Sequence, residues 1–296
     1  MQPFTAVFLA AGRSSRFGGR IKCLQEVGRH GETLIELSVR QLLDACPELS
    51  DLVMVVSEST HGPIHATVGD RFYGLPVSWC FQRTPAWRSK PLGTVDALLA
   101  ARGHVRGPFV VLNGDSLYGV AALRLVCGHM VTERTPCMPG YKLRDVLPNE
   151  GRVNRALVQV DDSGHVSRIV EHYDIHMADV HAGQYTGDEL TSMNIFGFVA
   201  PHAFELAARK HAAFLHQLER LRRGDGNQMN PPLPRQVACE VATTKEYILS
   251  TMLNELLAES AVRVRVLTSS AIRTPLELTN PGDFAFVKSH LDRVGL

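Results

Sequence analysis

The first 22 residues constrain this chain more than any other stretch. Phe4 to Leu9 is an unbroken apolar run that reads as a buried first strand, and Leu9-Ala-Ala-Gly-Arg-Ser-Ser-Arg-Phe-Gly-Gly-Arg-Ile-Lys22 follows it directly. In an open α/β sheet ligands bind beyond the carboxyl ends of the strands, so this loop is placed to meet one. Phosphate oxygens need close approach of backbone N–H groups, which small residues such as Gly12, Ser14 and Ser15 permit. Arg16 offers a planar fork of donors and Lys22 a compact cation. The segment therefore reads as a phosphate cradle, although the same residues also suit a surface turn with solvated arginines.

Two other glycine loops are excluded. A dinucleotide fingerprint starting at Gly12 needs glycine where Ser14 and Phe17 stand, and a P-loop needs Gly-Lys-Ser/Thr where the chain has Phe17-Gly18-Gly19.

Downstream, Gly31 to Glu36 opens a helical pattern with Leu34, Leu37, Leu42 and Leu43 on one face and Thr33 or Gly31 at its start. Asp51 to Ser57 reads as a buried strand, and strand, loop, helix, strand is a βαβ unit. Val77 to Gln82 is a third strand, and Thr94 to Ala101 a helix that follows the loop Ser89-Lys-Pro-Leu-Gly-Thr94. Gly93 permits close approach of a flat ligand, and Gln82 carries both a donor and an acceptor for a base edge. As a strand-end residue Gln82 is equally compatible with simple solvation. The apolar run Pro108 to Leu112 ends in Asn113-Gly114-Asp115, which sets a carboxylate beyond a buried strand. Asp115 suits Mg²⁺, a hard cation held by one or two carboxylates plus substrate phosphates. Asn-Gly-Asp is also turn chemistry.

The second half differs. Cys137 to Tyr141 reads as a strand, Asn154 to Val160 and His165 to Glu171 as a hairpin turning at Asp162-Ser-Gly164, and Ser192 to Phe198 as a further strand. Pro201 opens a helix, Arg222 to Pro234 is a loop, Tyr247 to Glu259 an amphipathic helix, Arg263 to Leu267 a short strand and Pro281 to Leu291 a closing helix. The organisation expected is one domain over 1–296, with a nucleotide-binding half (about 1–125) and an acceptor half (about 126–296).

Charge is balanced, 31 Lys+Arg against 30 Asp+Glu, which gives a nucleic-acid partner no support. Six cysteines lack any Cys-x-x-Cys pair, so neither a zinc site nor a disulfide framework is indicated. There is no basic n-region with a cleavage site and no apolar run long enough for a bilayer, so a cytoplasmic protein without a membrane partner is expected. The sequence leaves oligomeric state open.

With these motifs in place, the chain resembles the sugar-nucleotide pyrophosphorylase branch of the nucleotidyltransferases. The resemblance rests on Leu9, Ala10, Gly12, Ser14, Arg16 and Lys22, on Lys90-Pro-Leu-Gly-Thr94, on Asn113-Gly-Asp-Ser-Leu-Tyr-Gly119, and on Ser192-Met-Asn194 with Phe196-Gly-Phe198. Weaker similarity reaches Thr279-Asn-Pro-Gly-Asp283. It implies an α/β fold with a mixed, mostly parallel central sheet of Rossmann-like (GT-A-like) type and helices on both faces. It also implies a Mg²⁺-dependent reaction joining a nucleoside triphosphate to a sugar 1-phosphate, with release of pyrophosphate. Arg16, Lys22 and Asp115 would be catalytic, with Asp115 on the metal. Leu9, Ala10, Ala11, Gly12, Ser14, Ser15, Gln82, Gly93 and Thr94 would hold the nucleotide, and Tyr141, Glu171 and Asn194 the acceptor.

The chain departs from that pattern in three places. His172 follows Glu171 where many relatives have lysine, Pro275 to Thr279 replaces a Trp-Phe-Gly-Val-Thr segment, and a second metal ligand has no assigned position. Asp283 is a candidate for that ligand, but it equally suits a helix N-terminus. A phosphate or phosphonate acceptor other than a sugar, or a regulatory protein that binds nucleotide without turnover, stays open. A glycosyltransferase would carry Asp-x-Asp, whereas Ser116 and Leu117 follow Asp115.

Overall fold

A computed structural model describes residues 3–12, 17–148, 151–223 and 234–296. The first half runs β1 (Phe4–Leu9), α1 (Leu34–Ala45), β2 (Leu49–Val56), α2 (Glu58–Val68), β3 (Arg71–Phe72), β4 (Leu75–Phe81), α3 (Thr94–Ala100) and β5 (Pro108–Asn113). There follow β6 (Ser116–Leu117), α4 (Val120–Thr132), β7 (Cys137–Pro139), β8 (Tyr141–Lys142), α5 (Leu143–Val146), β9 (Val153–Val160) and β10 (Val166–Ile175). The remainder is α6 (Met177–His181), β11 (Leu190–Ser192), β12 (Phe196–Val199), α7 (His202–Arg223), α8 (Arg235–Thr244), α9 (Leu249–Ala258), β13 (Arg265–Leu267), β14 (Leu276–Glu277) and α10 (Asp283–Ser289).

Eight strands form the main sheet in the order β13-β7-β12-β5-β1-β2-β4-β3. The pairs β5-β1, β1-β2, β2-β4 and β13-β7 are parallel, while β12 lies antiparallel to both its neighbours. The expected mixed, mostly parallel sheet is thus present. Successive strand side chains point to opposite faces, and both faces are covered, which is why β1 is apolar but for the buried Thr5. Ala6, Phe8, Val110 and Leu112 pack with residues of α1 and α4 on one side. Val7, Phe109 and Val111 pack with α3, α7 and α9 on the other. Thr33 caps α1 with the reciprocal Thr33–Glu36 box, which fixes where that helix starts.

A second, antiparallel sheet, β10-β9-β11-β8, stands beside the first, and β14 pairs with β6. Two expected strands are each divided between the sheets. Cys137 to Tyr141 splits at Gly140, whose N–H donates to Leu267 O and whose Cα lies close under Val266 and Leu190. Ser192 to Phe198 splits into β11 and β12 because Asn194 turns the chain with φ +62°. The hairpin continues past Glu171 to Ile175. Helices α2, α4 and α8 had no expectation; in α2 the Gly62-Pro63 pair hides the helical pattern, while Ser57 and Thr60 form its capping box. The expected loop Arg222 to Pro234 begins inside α7, and its residues 224–233 lie outside the described residues.

Candidate active site

The carboxyl ends of β1, β4 and β5 open on a cavity of about 360 Å³. Leu9, Ala10, Ala11, Gly12, Lys22, Gln82, Gly93, Thr94, Asp115 and Asn194, all singled out in the sequence, line it together. Ser14, Ser15 and Arg16 lie outside the described residues.

Each wall has a local cause. The loop after β1 lies against the turn after β5: Gly114 N–H donates to Leu9 O (3.0 Å), and a Cβ at Gly114 would sit 3.2 Å from that of Ala10. Lys22 Nζ, 5.4 Å from the centre of the Phe17 ring, meets Asp115 Oδ2 at 3.2 Å. Lys22 and the carboxylate therefore meet across 93 positions of sequence. Burial pushes the Asp115 carboxyl above the usual carboxylate range, Lys22 opposes that, and Glu277 adds to it. Glu277 comes near through β14, where it pairs with Ser116, and Leu278 N–H donates to Asp115 O (3.1 Å).

At the opposite wall Gly93 has φ +107°, and a Cβ there would lie 2.4 Å from Tyr247 O. That close approach is secured by Tyr247 N–H donating to Leu92 O (2.8 Å) and Val95 N–H donating to Tyr247 O (3.1 Å). The buried Arg88 donates to the carbonyls of Lys90, Pro91, Ala242 and Lys245, which ties the same loop to the segment before α9. Thr94 Oγ1 accepts from Leu249 N–H (2.9 Å) and so joins α3 to α9. Gln82 Nε2 donates to Gly93 O (2.9 Å) and Asp96 Oδ2 (3.0 Å).

A smaller cavity of about 180 Å³ adjoins the first and shares Asn113, Asn194 and Ile248 with it. Asn194 Nδ2 donates to Asn113 Oδ1 (3.0 Å), so this pair forms the waist between them. Glu171 lines the smaller cavity and accepts from Ser250 Oγ (2.5 Å). Burial raises the Glu171 carboxyl, against the pull of Ser250 and Arg155. Arg155 also lines the cavity; its guanidinium donates to Val146 O and pairs with Glu277.

Tyr141, expected at the acceptor, is not brought to the other site residues. It lines neither cavity and is buried in the core, its hydroxyl 3.5 Å from Tyr118 O. As the first residue of β8, it has the main-sheet core to fill, and an aromatic ring fills it. His172 also lines neither cavity; its Nδ1 lies 3.2 Å from the Tyr185 hydroxyl. Asp283 Oδ2 accepts from the backbone N–H groups of Thr279 and Asn280 at the start of α10. Arg155, Ser250 and Glu277 had no expectation. The alternation Leu276-Glu277-Leu278 was the one available signal for a half-buried strand bearing a carboxylate, and it is only three residues long.

Among the described residues no group of three or more His, Cys, Asp or Glu could hold a metal by itself. Asp115 with Glu277 nearby is instead a sparse oxygen set of the kind Mg²⁺ shares with a phosphate-bearing substrate. No described helix is long and apolar enough to cross a membrane.

Known structures share this architecture over nearly the full length. The inositol-1-phosphate CTP transferase from T. maritima superposes with TM-score 0.62 at 15% identity, covering 98% of this chain and 95% of its own. A putative glucose-1-phosphate thymidylyltransferase from Bacillus anthracis gives 0.61 at 12% identity, with coverage of 98% and 95%. A UDP-glucose pyrophosphorylase gives 0.60 at 12% identity, with 97% and 98%. At such identities the likeness is one of fold. No curated protein matches the chain in sequence. The sequence profile of the MobA-like NTP transferase domain, however, matches residues 6–228, and the chain belongs to that family.

Proposed function

We propose that this nucleotidyltransferase joins a nucleoside triphosphate to the phosphate of a polyol, a sugar 1-phosphate in the first instance, releasing pyrophosphate. The observation that carries the reading is the pair of adjoining cavities that meet at Asn113 and Asn194, one with a cation and a carboxylate, the other polar. In this reading the triphosphate occupies the larger cavity, with Lys22 against its phosphates and the base towards Gln82, Gly93 and Thr94.

The acceptor phosphate enters from the smaller cavity. One of its oxygens attacks the α-phosphorus, the bond to the β-phosphate oxygen breaks, and pyrophosphate leaves with that electron pair. The nucleophile is already an anion, so no proton need move, and positioning and charge neutralisation carry the rate. Asp115, with Glu277, would hold Mg²⁺, which supplies positive charge beside the phosphates when bound.

The lining of the smaller cavity favours a polyol over a quaternary amine. Asn154, Arg155, Glu171, Ser192, Asn194, Ser250 and Glu277 offer hydrogen bonds to hydroxyls, and none of its lining residues is aromatic. Choline-type ligands are recognised by aromatic cages. Three of the superposed structures are described as enzymes of inositol 1-phosphate, glucose 1-phosphate or UDP-glucose, in keeping with such an acceptor. Arg155 is the cation nearest this chemistry, in place of the lysine that His172 replaces.

The test is to incubate the protein with Mg²⁺, each nucleoside triphosphate and a panel of sugar and inositol phosphates. Pyrophosphate equal in amount to a nucleotide-linked product is expected for at least one pair. Asp115→Asn should lower that turnover by about a hundredfold or more with the melting temperature little changed. Tight triphosphate binding without pyrophosphate from any pair would favour a regulatory binder instead.

A further inference from the structure

We infer that Asp96 is a positioning residue for base selection: it locks the Gln82 amide so that the side chain meets the base as an acceptor only. The inference rests on the reading of the larger cavity as the nucleotide site. An amide side chain is normally ambiguous, able to present either its donor or its acceptor end. Here Nε2 faces two acceptors, Gly93 O at 2.9 Å and Asp96 Oδ2 at 3.0 Å. The Gly93 carbonyl cannot donate, nor can Asp96 as a carboxylate, so the reversed amide would set oxygen against oxygen at both contacts.

Both Nε2 hydrogens are thereby committed, and Oε1 is the polar atom of Gln82 with capacity left for a ligand. Asp96 sits in the first turn of α3, and Nε2 of the buried His211, on α7, lies 3.4 Å from its Oδ1 without a hydrogen bond between them. The half-buried Asp96 therefore meets the Gln82 amide from α3, behind the cavity wall. A base docked there must bring an N–H or amine hydrogen to Oε1, and a base edge that brings a carbonyl oxygen to the same point is rejected. A site built to pair a donor discriminates strongly against a partner lacking it, because its own polar group is left unpaired.

The experiment is calorimetric binding of the common nucleoside triphosphates to the wild type, Asp96→Asn, Gln82→Leu and the double variant. It needs no acceptor and no turnover. The wild type should prefer one base, Asp96→Asn should narrow the preference about tenfold by offering the reversed amide a donor, which leaves Gly93 O as the one contact opposing it, and Gln82→Leu should narrow it similarly. Asp96→Asn should add nothing in the Gln82→Leu background, since it acts through that side chain. Should Asp96→Asn fail to fold, an analogue of the preferred nucleotide with the base N–H methylated carries the test. It should bind the wild type about tenfold more weakly than the parent and Gln82→Leu about equally.

An unchanged preference in Asp96→Asn, a parallel loss for every nucleotide, or independent additive effects would overturn the inference and leave the nucleotide site standing. Absence of base preference in the wild type would do the same. Absence of any nucleotide binding would overturn both.

Discussion

Glu171 carries two demands at once. Burial works against its charge, with Ser250 and Arg155 compensating in part, so its carboxyl is held above the usual range. Glu171→Gln keeps an acceptor for Ser250 and removes the buried charge. It should leave the melting temperature unchanged or raise it by about 1–4 °C at neutral pH, while raising the acceptor KM roughly tenfold or more. The pH dependence has a definite sign. A carboxyl whose pKa is raised by folding binds its proton more tightly folded than unfolded, so the wild type gains stability relative to the variant as pH falls. Thermal melts across the acid range should show the advantage of glutamine fading and vanishing once Glu171 is protonated. An advantage that persists at low pH would mean that charge burial is not its source. Legibility at this scale followed local chemistry. Lys22, Gln82, Gly93, Thr94 and Asp115 stand at strand ends or loops whose composition announces them, whereas Arg155 and Ser250 reach the site from elements whose local sequence looks ordinary. Tyr141 packs in the core, since an aromatic at a strand end suits a core as well as a ligand and only packing distinguishes the two.

Two loops rather than the strands themselves hold the Gly93 wall of the larger cavity together. The turn before α3 is pressed onto the backbone before α9, with Gly93 at φ +107° and no room for a side chain beside Tyr247. Gly93→Ala combines backbone strain with a clash against backbone atoms that cannot rotate away. It should cost roughly 3 kcal/mol in urea unfolding and abolish triphosphate binding in whatever fraction stays folded. A loss under about 1 kcal/mol would show that the two segments separate easily and that the wall is not fixed. Elements with strong periodicity or a cap, such as β1, β2, β5 and α1, were readable from the sequence. The strands divided between sheets were not, since the break at Asn194 depends on a left-handed residue whose side chain bonds to Asn113, 81 positions away.

Across the whole molecule, the main sheet takes β1 to β5 from the first half and β7, β12 and β13 from the second, and the antiparallel sheet stands beside them with Glu171 and Arg155 on its strands. That arrangement sets a cation–carboxylate pair from the first half against polar groups from the second, with the Asn113–Asn194 pair at the join. The change from parallel βαβ units to antiparallel hairpins along the chain was legible because the two have different sequence periods. The convergence of distant segments was not, because β14 reaches Asp115 only through its pairing with β6. The most direct test is a crystal structure with Mn²⁺ in place of Mg²⁺ and a triphosphate whose α–β bridge cannot be cleaved. The prediction is an anomalous peak within about 2.3 Å of an Asp115 carboxylate oxygen, with the phosphates against Lys22 and the base at Gln82. A nucleotide bound away from this cleft, or a metal that leaves Asp115 without a contact, would contradict the account.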